Sequence, residues 1–311
     1  MPVLLNKTQG NVILVGHVVI DEIIDYEKQT KPRISLGGGV TYGSIALLSL
    51  GYKASAVTKV GRDFPPEFHQ YLRNYVNFEL PGSESKEKTT RYRIDRSTEP
   101  RKLWLRSRCA PISISDLRKA LTQNRNRYTI VLNPVAGEVS QAIVRDLCGS
   151  HNLAMDSQGF VRRVKKKDFL VTSKKIRDIS FLEGVELLKA DARELRAWTG
   201  ESDVESSVLK LSRYLKSLLI SSGAGSVRLY EGGRIKAEAT PYPVQVKDTT
   251  GAGDILLACY VAKYRETRDV KEALAFSVSA ATLAVQQVGI EKAVLDPNEV
   301  TKTCSKVRIQ S

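Results

Sequence analysis

The feature that most constrains the fold is a regular alternation between short β-branched segments and segments with helical periodicity. Strands are predicted at NVILVGHVVIDEII (11–24), ASAVTKVG (54–61), YTIVLNP (128–134), NLAMD (152–156), VELLKA (185–190) and LLISSG (218–223). Helices are predicted within 37–51 and at 65–76, 138–149, 191–200, 251–264 and 270–289. This alternation predicts an α/β fold, a doubly wound and mostly parallel sheet flanked by helices on both faces.

Two regions depart from the alternation and predict a small additional β-sheet. TTRYRIDRS (89–97) and RKLWLRS (101–107), in one of these regions, alternate in polarity and form a predicted hairpin. A separate hairpin is predicted at 226–239, outside the two regions. We expect the segments at about 19–36 and 88–108 to form a small β-sheet lid over the site. The strand at 89–97 has a predicted exposed edge through which two lids would pair in a homodimer; a monomer is the alternative.

The chain is expected to be one domain, because no repeat or linker divides residues 1–311. No run of 18 apolar residues and no signal peptide is recognised, so no membrane association is expected. Four scattered cysteines without a CxxC pair indicate a reducing compartment and argue against a zinc site. A cytoplasmic location is therefore expected.

The net charge of +14 is unusually high. It is compatible with nucleic acid, with anionic small molecules or with neither. The densest basic cluster, RRVKKKD (162–168), is interpreted as a solvated surface turn, because no aromatic residues accompany it as in RNA-binding strands. Nucleic acid is thus an unlikely partner, although a catalytically silent nucleotide- or nucleic-acid-binding protein is kept as an alternative.

The heptapeptide DTTGAGD (248–254) precedes an apolar helix. Free amides at a helix start bind anions, and the glycines Gly251 and Gly253 let the backbone approach a phosphate closely. Asp248 is predicted to cap or orient the turn. Asp254 would repel a phosphate, so we interpret it as an ionised acceptor for the proton of an attacking hydroxyl, with plain helix capping as the alternative. No P-loop motif is present, and GGGVTYG does not match a dinucleotide fingerprint.

Taken together, these motifs resemble the PfkB, or ribokinase-like, family of small-molecule kinases. DTTGAGD resembles the family's C-terminal signature, and the glycine turn at 37–39 with its helix ending in Leu50–Gly51 resembles the N-terminal one. VGHVVID resembles the first strand, and KVGRD (59–63) the usual VGxD segment.

The resemblance implies an ATP- and Mg²⁺-dependent phosphotransferase and a role for each matching residue. Asp254 matches the general base, and Gly251, Ala252 and Gly253 match the anion hole. Glu194 matches the acid that organises Mg²⁺ through water, with Asp191 where the family has Asn. The other implied contacts are substrate binding by Asp21, Gly38 and Gly39, and binding of the nucleotide by Ser221, Gly223, Gly251, Gly253 and Asp248.

The substrate prediction depends on Tyr42 and on DSQGFVR (156–162). Sugar kinases of the family often carry Asn where this chain has Tyr42, and the aromatic residue together with Asp156 and Gln158 resembles the myo-inositol kinase-like branch. A polyol or sugar acceptor is therefore expected, with myo-inositol favoured and a nucleoside or ribose-like sugar as the alternative. Core packing is an equally good interpretation of Tyr42, and Arg162 either holds an anionic group or belongs to the basic surface turn.

Overall fold

The computed structural model describes residues 12–24, 31–75, 84–97, 101–121, 128–223 and 225–310. Its strands are β1 (Val12–Val15), β2 (Val19–Ile24), β3 (Arg33–Gly37), β4 (Ala54–Val57), β5 (Val60–Gly61), β6 (Glu84–Ser85), β7 (Arg91–Asp95), β8 (Lys102–Ser107), β9 (Thr129–Leu132), β10 (Asn152–Asp156), β11 (Arg162–Val164), β12 (Val171–Ser173), β13 (Leu187–Asp191), β14 (Ser217–Ser221), β15 (Val227–Glu231), β16 (Arg234–Thr240) and β17 (Arg308–Gln310). Its helices are α1 (Gly39–Ser49), α2 (Pro66–Tyr75), α3 (Ile114–Leu121), α4 (Gln141–Leu147), α5 (Gln158–Val161), α6 (Ala192–Thr199), α7 (Val204–Leu211), α8 (Ala252–Thr267), α9 (Val270–Ala284) and α10 (Pro297–Cys304).

The large sheet confirms the predicted doubly wound architecture. Among the described residues its strand order is β17-β16-β15-β14-β13-β10-β9-β1-β4, and the pairs from β14 to β4 are parallel. The order changes direction at β1, which lies between β4 and β9. Ligands of such sheets bind beyond the carboxyl ends of the strands at this change of direction.

The two faces of the sheet bury two separate cores, because successive strand side chains point to opposite faces. In β1, Val12 and Leu14 belong to the core beneath α1, α8 and α9, whereas Ile13 and Val15 belong to the core beneath α4 and α6. Helices therefore cover both faces, as the alternation predicted.

The predicted strand at 11–24 is divided between two sheets. β1 ends at Val15, and β2 begins at Val19 in a second sheet of order β3-β2-β7-β8. The intervening backbone bonds side chains: the amide of His17 donates to Glu138 and that of Val18 to Thr58. Because these amides bond side chains and not a neighbouring strand, the prediction of one continuous strand was wrong.

The second sheet occupies the segments predicted to form a lid. Its inner strands are parallel to each other, and the hairpin of β7 and β8 is antiparallel as predicted. β7 lies between β2 and β8, so the prediction of an exposed edge at 89–97 was wrong. A small core joins this sheet to the loop after β9; it contains Tyr92, Ile94, Leu105, Val135 and Ala136.

Candidate active site

The glycine turn before α8 is shaped to present backbone amides. Gly251 has a φ of 78°, a left-handed conformation that favours glycine, and a Cβ at this position would overlap the ring of Tyr42. Tyr42 is 3% exposed and lies beneath the turn. Ala252, Gly253 and Asp254 are thus the first helical residues of α8. The free backbone amides at such a helix start can bind an anion.

Asp254 lies in the first turn of α8, against the first residue of α1. A Cβ on Gly39 would overlap its carboxylate, and the side-chain amide of Asn133, at the end of β9, is 3.5 Å from Oδ1. Burial and the neighbouring Asp156 carboxylate raise the pKa of Asp254 to about 7, although Lys189, Arg162 and Asn133 oppose that rise. The sequence predicted an acid that stays ionised, whereas burial in the folded protein raises the pKa of this carboxyl close to neutral pH.

Lys189 is the principal residue that the sequence analysis missed. Its Nζ is 2.8 Å from Oδ2 of Asp156, and a Cβ on Gly253 would lie 2.7 Å from the same Nζ. Asp156 is buried, and its Oδ1 accepts the backbone amide of Gln158 at 2.8 Å. The predicted substrate ligand Asp156 therefore holds a lysine beside the anion turn. The available signal was a charged residue inside the apolar strand LLKAD.

Asp248 lies under the turn within a buried ionic network. Its Oδ1 accepts Arg96 at 2.7 Å and the amide of Thr250 at 2.9 Å, and Lys292 donates to its carbonyl oxygen at 2.9 Å and forms an ion pair with Oδ2 at 2.9 Å. Burial opposes ionisation, but Lys292, Thr250 and Arg96 lower the pKa of Asp248 to about 2. Lys292 is completely buried, and its Nζ lies 5.9 Å from the centroid of the Tyr42 ring.

A cleft of about 800 Å³ extends from Asp254 across the carboxyl ends of β13 and β14. Its polar end joins the anion turn to residues predicted from the sequence: Gln158, Asp191, Glu194, Ser221 and Gly223. Its far end is formed by β-branched and small residues together with Tyr242: Val244, Val246, Val278, Ala281 and Val285. Asp21, Gly38, Tyr42, Asp156 and Asp248 lie outside this cleft.

Asp191 and Glu194 are joined by a capping box at the start of α6. Asp191 accepts the amide of Glu194 at 2.8 Å, and Oε2 of Glu194 accepts the amide of Asp191 at 2.9 Å and the Ser157 hydroxyl. Burial and the carboxylates of Asp156 and Asp191 raise the pKa of Glu194, although Lys189 opposes the rise. In the described residues no group of three or more His, Cys, Asp or Glu residues is arranged to hold a metal ion. Proteins commonly bind Mg²⁺ through one or two carboxylates, while water and substrate phosphates supply the other ligands. Asp191 and Glu194 are suited to a site of this kind.

Asp21 and the glycines of the N-terminal signature lie on the other side of Asp254. Gly38 has a φ of 93°, and a Cβ on Gly37 would overlap the Asp21 carboxylate. Asp21 is 5% exposed, and burial raises its pKa to about 6 although Arg101, Arg162 and Arg96 oppose the rise. The two predicted halves of the site, the N-terminal glycine turn and DTTGAGD, therefore meet at Asp254.

Comparison with known proteins agrees with this geometry. The model of the pfkB family carbohydrate kinases matches residues 113–296, more than half of the chain. The chain belongs to this family. A cytidine kinase from Thermococcus kodakarensis is 25% identical over 290 residues, which cover 90% of this chain and 97% of the relative.

Solved structures of the ribokinase family share the fold. A pyrophosphate-dependent kinase complexed with a pyrophosphate analog and myo-inositol is 24% identical, with a TM-score of 0.77, and the match covers 90% of this chain and 98% of that one. A fructokinase with bound ATP from Xylella fastidiosa is 16% identical, with a TM-score of 0.75 and coverage of 95% and 98%. As a member of the pfkB family, the chain is a phosphotransferase that acts on hydroxyl groups. No helix in the described ranges is long and apolar enough to cross a lipid bilayer.

Proposed function

We propose that the protein transfers the γ-phosphoryl group of ATP to a hydroxyl of a polyol or sugar, with Asp254 as the general base. The observation that carries the proposal is the position of Asp254 at the start of α8, where it meets the Lys189 ammonium, Asn133 and the glycine turn of α1. A carboxyl with a pKa near 7 accepts a proton from an attacking hydroxyl close to physiological pH.

The residues of the turn and of β13 would stabilise the transferred group. The amides from Gly251 to Asp254 and the ammonium of Lys189 would bind developing charge on the phosphoryl oxygens. Asp156 would keep that ammonium in place through its 2.8 Å ion pair. Asp191 and Glu194 would hold Mg²⁺ through water, and the bound ion would neutralise charge on the donor phosphates.

The cleft supports ATP as the donor. Its volume of about 800 Å³ and its apolar far end fit a base and ribose beyond the phosphates, which pyrophosphate would leave empty. Ser221 and Gly223, at the end of β14, would contact the phosphates and ribose, while Val278 and Ala281 would flank the base.

On the acceptor side, Asp21, Gly38 and Gly39 would bind hydroxyls next to Asp254. Myo-inositol, which is bound in a similar structure, is the first candidate acceptor, and a nucleoside or ribose is the second because of the cytidine kinase relative.

The strands β2, β3, β7 and β8 would act as a lid. Pairing of two lids through β3, an edge strand on which Ile34 is 46% exposed, is proposed as the route to a homodimer.

The test is a panel of polyols, sugars and nucleosides with ATP or pyrophosphate as donor and the phosphorylated product as readout. Ala281→Phe, which fills the apolar end of the cleft, is expected to raise the KM for ATP more than about tenfold. The same variant would leave any pyrophosphate-dependent activity unchanged. Absence of product with every donor and acceptor would contradict the kinase proposal and favour a catalytically silent nucleotide-binding protein.

A further inference from the structure

Two guanidinium groups beside the site, Arg162 and Arg101, have no carboxylate within ion-pair distance among the described residues, and Arg101 also lines the cleft assigned above to ATP. Within the described residues Arg96, Lys189 and Lys292 each form an ion pair, but Arg101 and Arg162 form none. Arg101 instead donates to the Thr250 hydroxyl at 3.2 Å. Cations that are partly removed from water and bonded only to neutral oxygens retain most of their attraction for an anion.

Arg162 is held in place by direct contacts with uncharged groups. Its Nη1 donates to the carbonyl of Val135 at 3.0 Å, and its guanidinium carbon lies 5.4 Å from the centroid of the Tyr92 ring. It is half-buried, whereas Arg163 and Lys165 in the same hairpin are exposed. The interpretation of 162–168 as a solvated basic turn therefore holds for the tip of the hairpin and fails for its first residue.

The charges around Asp21 do not balance. Arg96, Arg101 and Arg162 all act electrostatically on the Asp21 carboxylate, and Arg162 also acts on Asp254. Burial lowers the pKa of Arg101, and repulsion from Arg162 and Arg96 adds to that effect. Arg96 and Lys292 share the carboxylate of Asp248, which leaves Arg101 and Arg162 with Asp21 and with Asp254, whose pKa of about 7 leaves it only partly ionised. A neutral polyol would leave this repulsion in place.

The location is enclosed on the side of the small sheet. Arg162 is the first residue of the hairpin of β11 and β12, and this hairpin joins the edge of β8 through the amide of Leu105, which donates to Phe169 at 3.0 Å. Tyr92, beneath the guanidinium, belongs to β7. An anion bound by Arg162 would thus lie at the junction of the two sheets, close to Asp21.

We infer that the preferred acceptor carries an anionic group, a phosphate or a carboxylate, which Arg162 binds with support from Arg101. This inference rests on the proposed function and narrows its acceptor to a phosphorylated or carboxylated polyol or sugar. Guanidinium groups bind both anions through two parallel hydrogen bonds, which supply specificity as well as affinity. Asp21 would accept the hydroxyls of the same molecule, and Asp254 would face the hydroxyl that reacts.

The experiment compares neutral compounds with their anionic counterparts: myo-inositol with myo-inositol 1-phosphate, ribose with ribose 5-phosphate, and sorbitol with gluconate. Binding is measured by calorimetry without a donor, and turnover is measured separately with ATP. The variants are Arg162→Gln and Arg162→Lys, and Arg163→Gln is the matched control on the exposed side of the hairpin.

We expect an anionic member of at least one pair to bind more than about tenfold more tightly than its neutral partner. Arg162→Gln should weaken that binding by about 10- to 100-fold and change binding of the neutral partner by less than about twofold. Arg162→Lys should recover part of the loss, and Arg163→Gln should leave both affinities unchanged.

Two results would overturn the inference while leaving the kinase assignment intact. One is binding of neutral compounds as tightly as their anionic counterparts. The other is a fall of kcat in Arg162→Gln that is equal for both members of a pair at constant KM, which would place the guanidinium on the transferred phosphoryl group. Arg162-dependent binding of an anion without product from any donor would instead contradict the proposed function and leave the anion site standing.

Discussion

The replacement Asp254→Asn should strongly reduce turnover and stabilise the fold, because the carboxylate that we propose as the base is unfavourable in the folded protein. Burial and Asp156 raise its pKa from 3.8 to about 7. Each pKa unit corresponds to about 1.4 kcal/mol, so ionised Asp254 disfavours the folded state by up to about 4 kcal/mol above pH 7. Because the side chain opens onto the cleft, solvent reduces this value, and about 2 kcal/mol is a reasonable expectation.

The sign of the effect follows from the raised pKa. The folded protein holds the proton more tightly than the unfolded chain, so the contribution of Asp254 to stability is complete below about pH 4 and is lost as the pH rises through 7. Asparagine is neutral at every pH and nearly isosteric. The variant should therefore melt several degrees higher than the wild type at pH 8 and show a much smaller difference at pH 5.

The activity assay follows kcat/KM between pH 5 and pH 9. In the wild type the rate should fall below about pH 7, to roughly a tenth of its plateau at pH 6, since only the ionised carboxyl accepts the proton. Asp254→Asn should reduce turnover by about 10²- to 10⁴-fold and remove this dependence. Asp269→Asn, at the exposed start of α9, is the control for loss of an aspartate at a helix terminus.

Two outcomes would refute this reasoning. Retention of wild-type turnover by Asp254→Asn would show that another group accepts the proton. An equal difference in melting temperature at pH 5 and pH 8 would show that the folded protein does not disfavour the charge of Asp254.

Three further changes test the surroundings of the turn. Lys292→Met should lower the free energy of unfolding by about 1–3 kcal/mol, because Asp248 keeps its pair with Arg96 but loses its second counter-ion and the donor to its carbonyl oxygen. Denaturation by guanidinium measures this, and an unchanged free energy of unfolding would contradict the network. The low pKa of Asp248 contributes stability that is lost as the pH falls from about 4 to 2, so acid unfolding should begin at higher pH in this variant. Gly251→Ala places a Cβ in a left-handed conformation against an aromatic ring, so it should destabilise by about 1–3 kcal/mol and lower kcat; unchanged kinetics would argue against amide binding at the turn. Lys189→Met removes a charge that lowers the pKa of Asp254, so the acid limb of the pH–rate profile should move above pH 7, and an unmoved midpoint would exclude this coupling.

Periodicity was sufficient to predict the elements of the large sheet, because a buried parallel strand needs a short run of β-branched residues whatever surrounds it. It was not sufficient at 11–24, where the same apolar run continues through two sheets. The break depends on Glu138 and Thr58, which are distant in sequence and bond the backbone between β1 and β2. The order β3-β2-β7-β8 depends likewise on long-range pairing, so the edge strand could not be identified from local pattern.

Local motifs predicted the chemistry of the turn because glycine and aspartate at a helix start have effects that depend little on the rest of the fold. DTTGAGD therefore predicted Asp254 as the base and the turn as an anion site, and both lie at the start of α8 beside the cleft. The partners of that turn lie far away in the chain: Lys189 in β13, Asn133 after β9 and Lys292 near α10 are brought to it only by the folded sheet.

The sequence by itself determined the anion turn and the position of Asp254 as the predicted base, since close backbone approach, free helical amides and an acid are properties of one short segment. Only the tertiary structure raises the pKa of that acid and brings the guanidinium groups next to Asp21. Both depend on burial and on Coulomb interactions between groups more than a hundred residues apart, such as Asp21 and Arg162, and those distances exist only after folding.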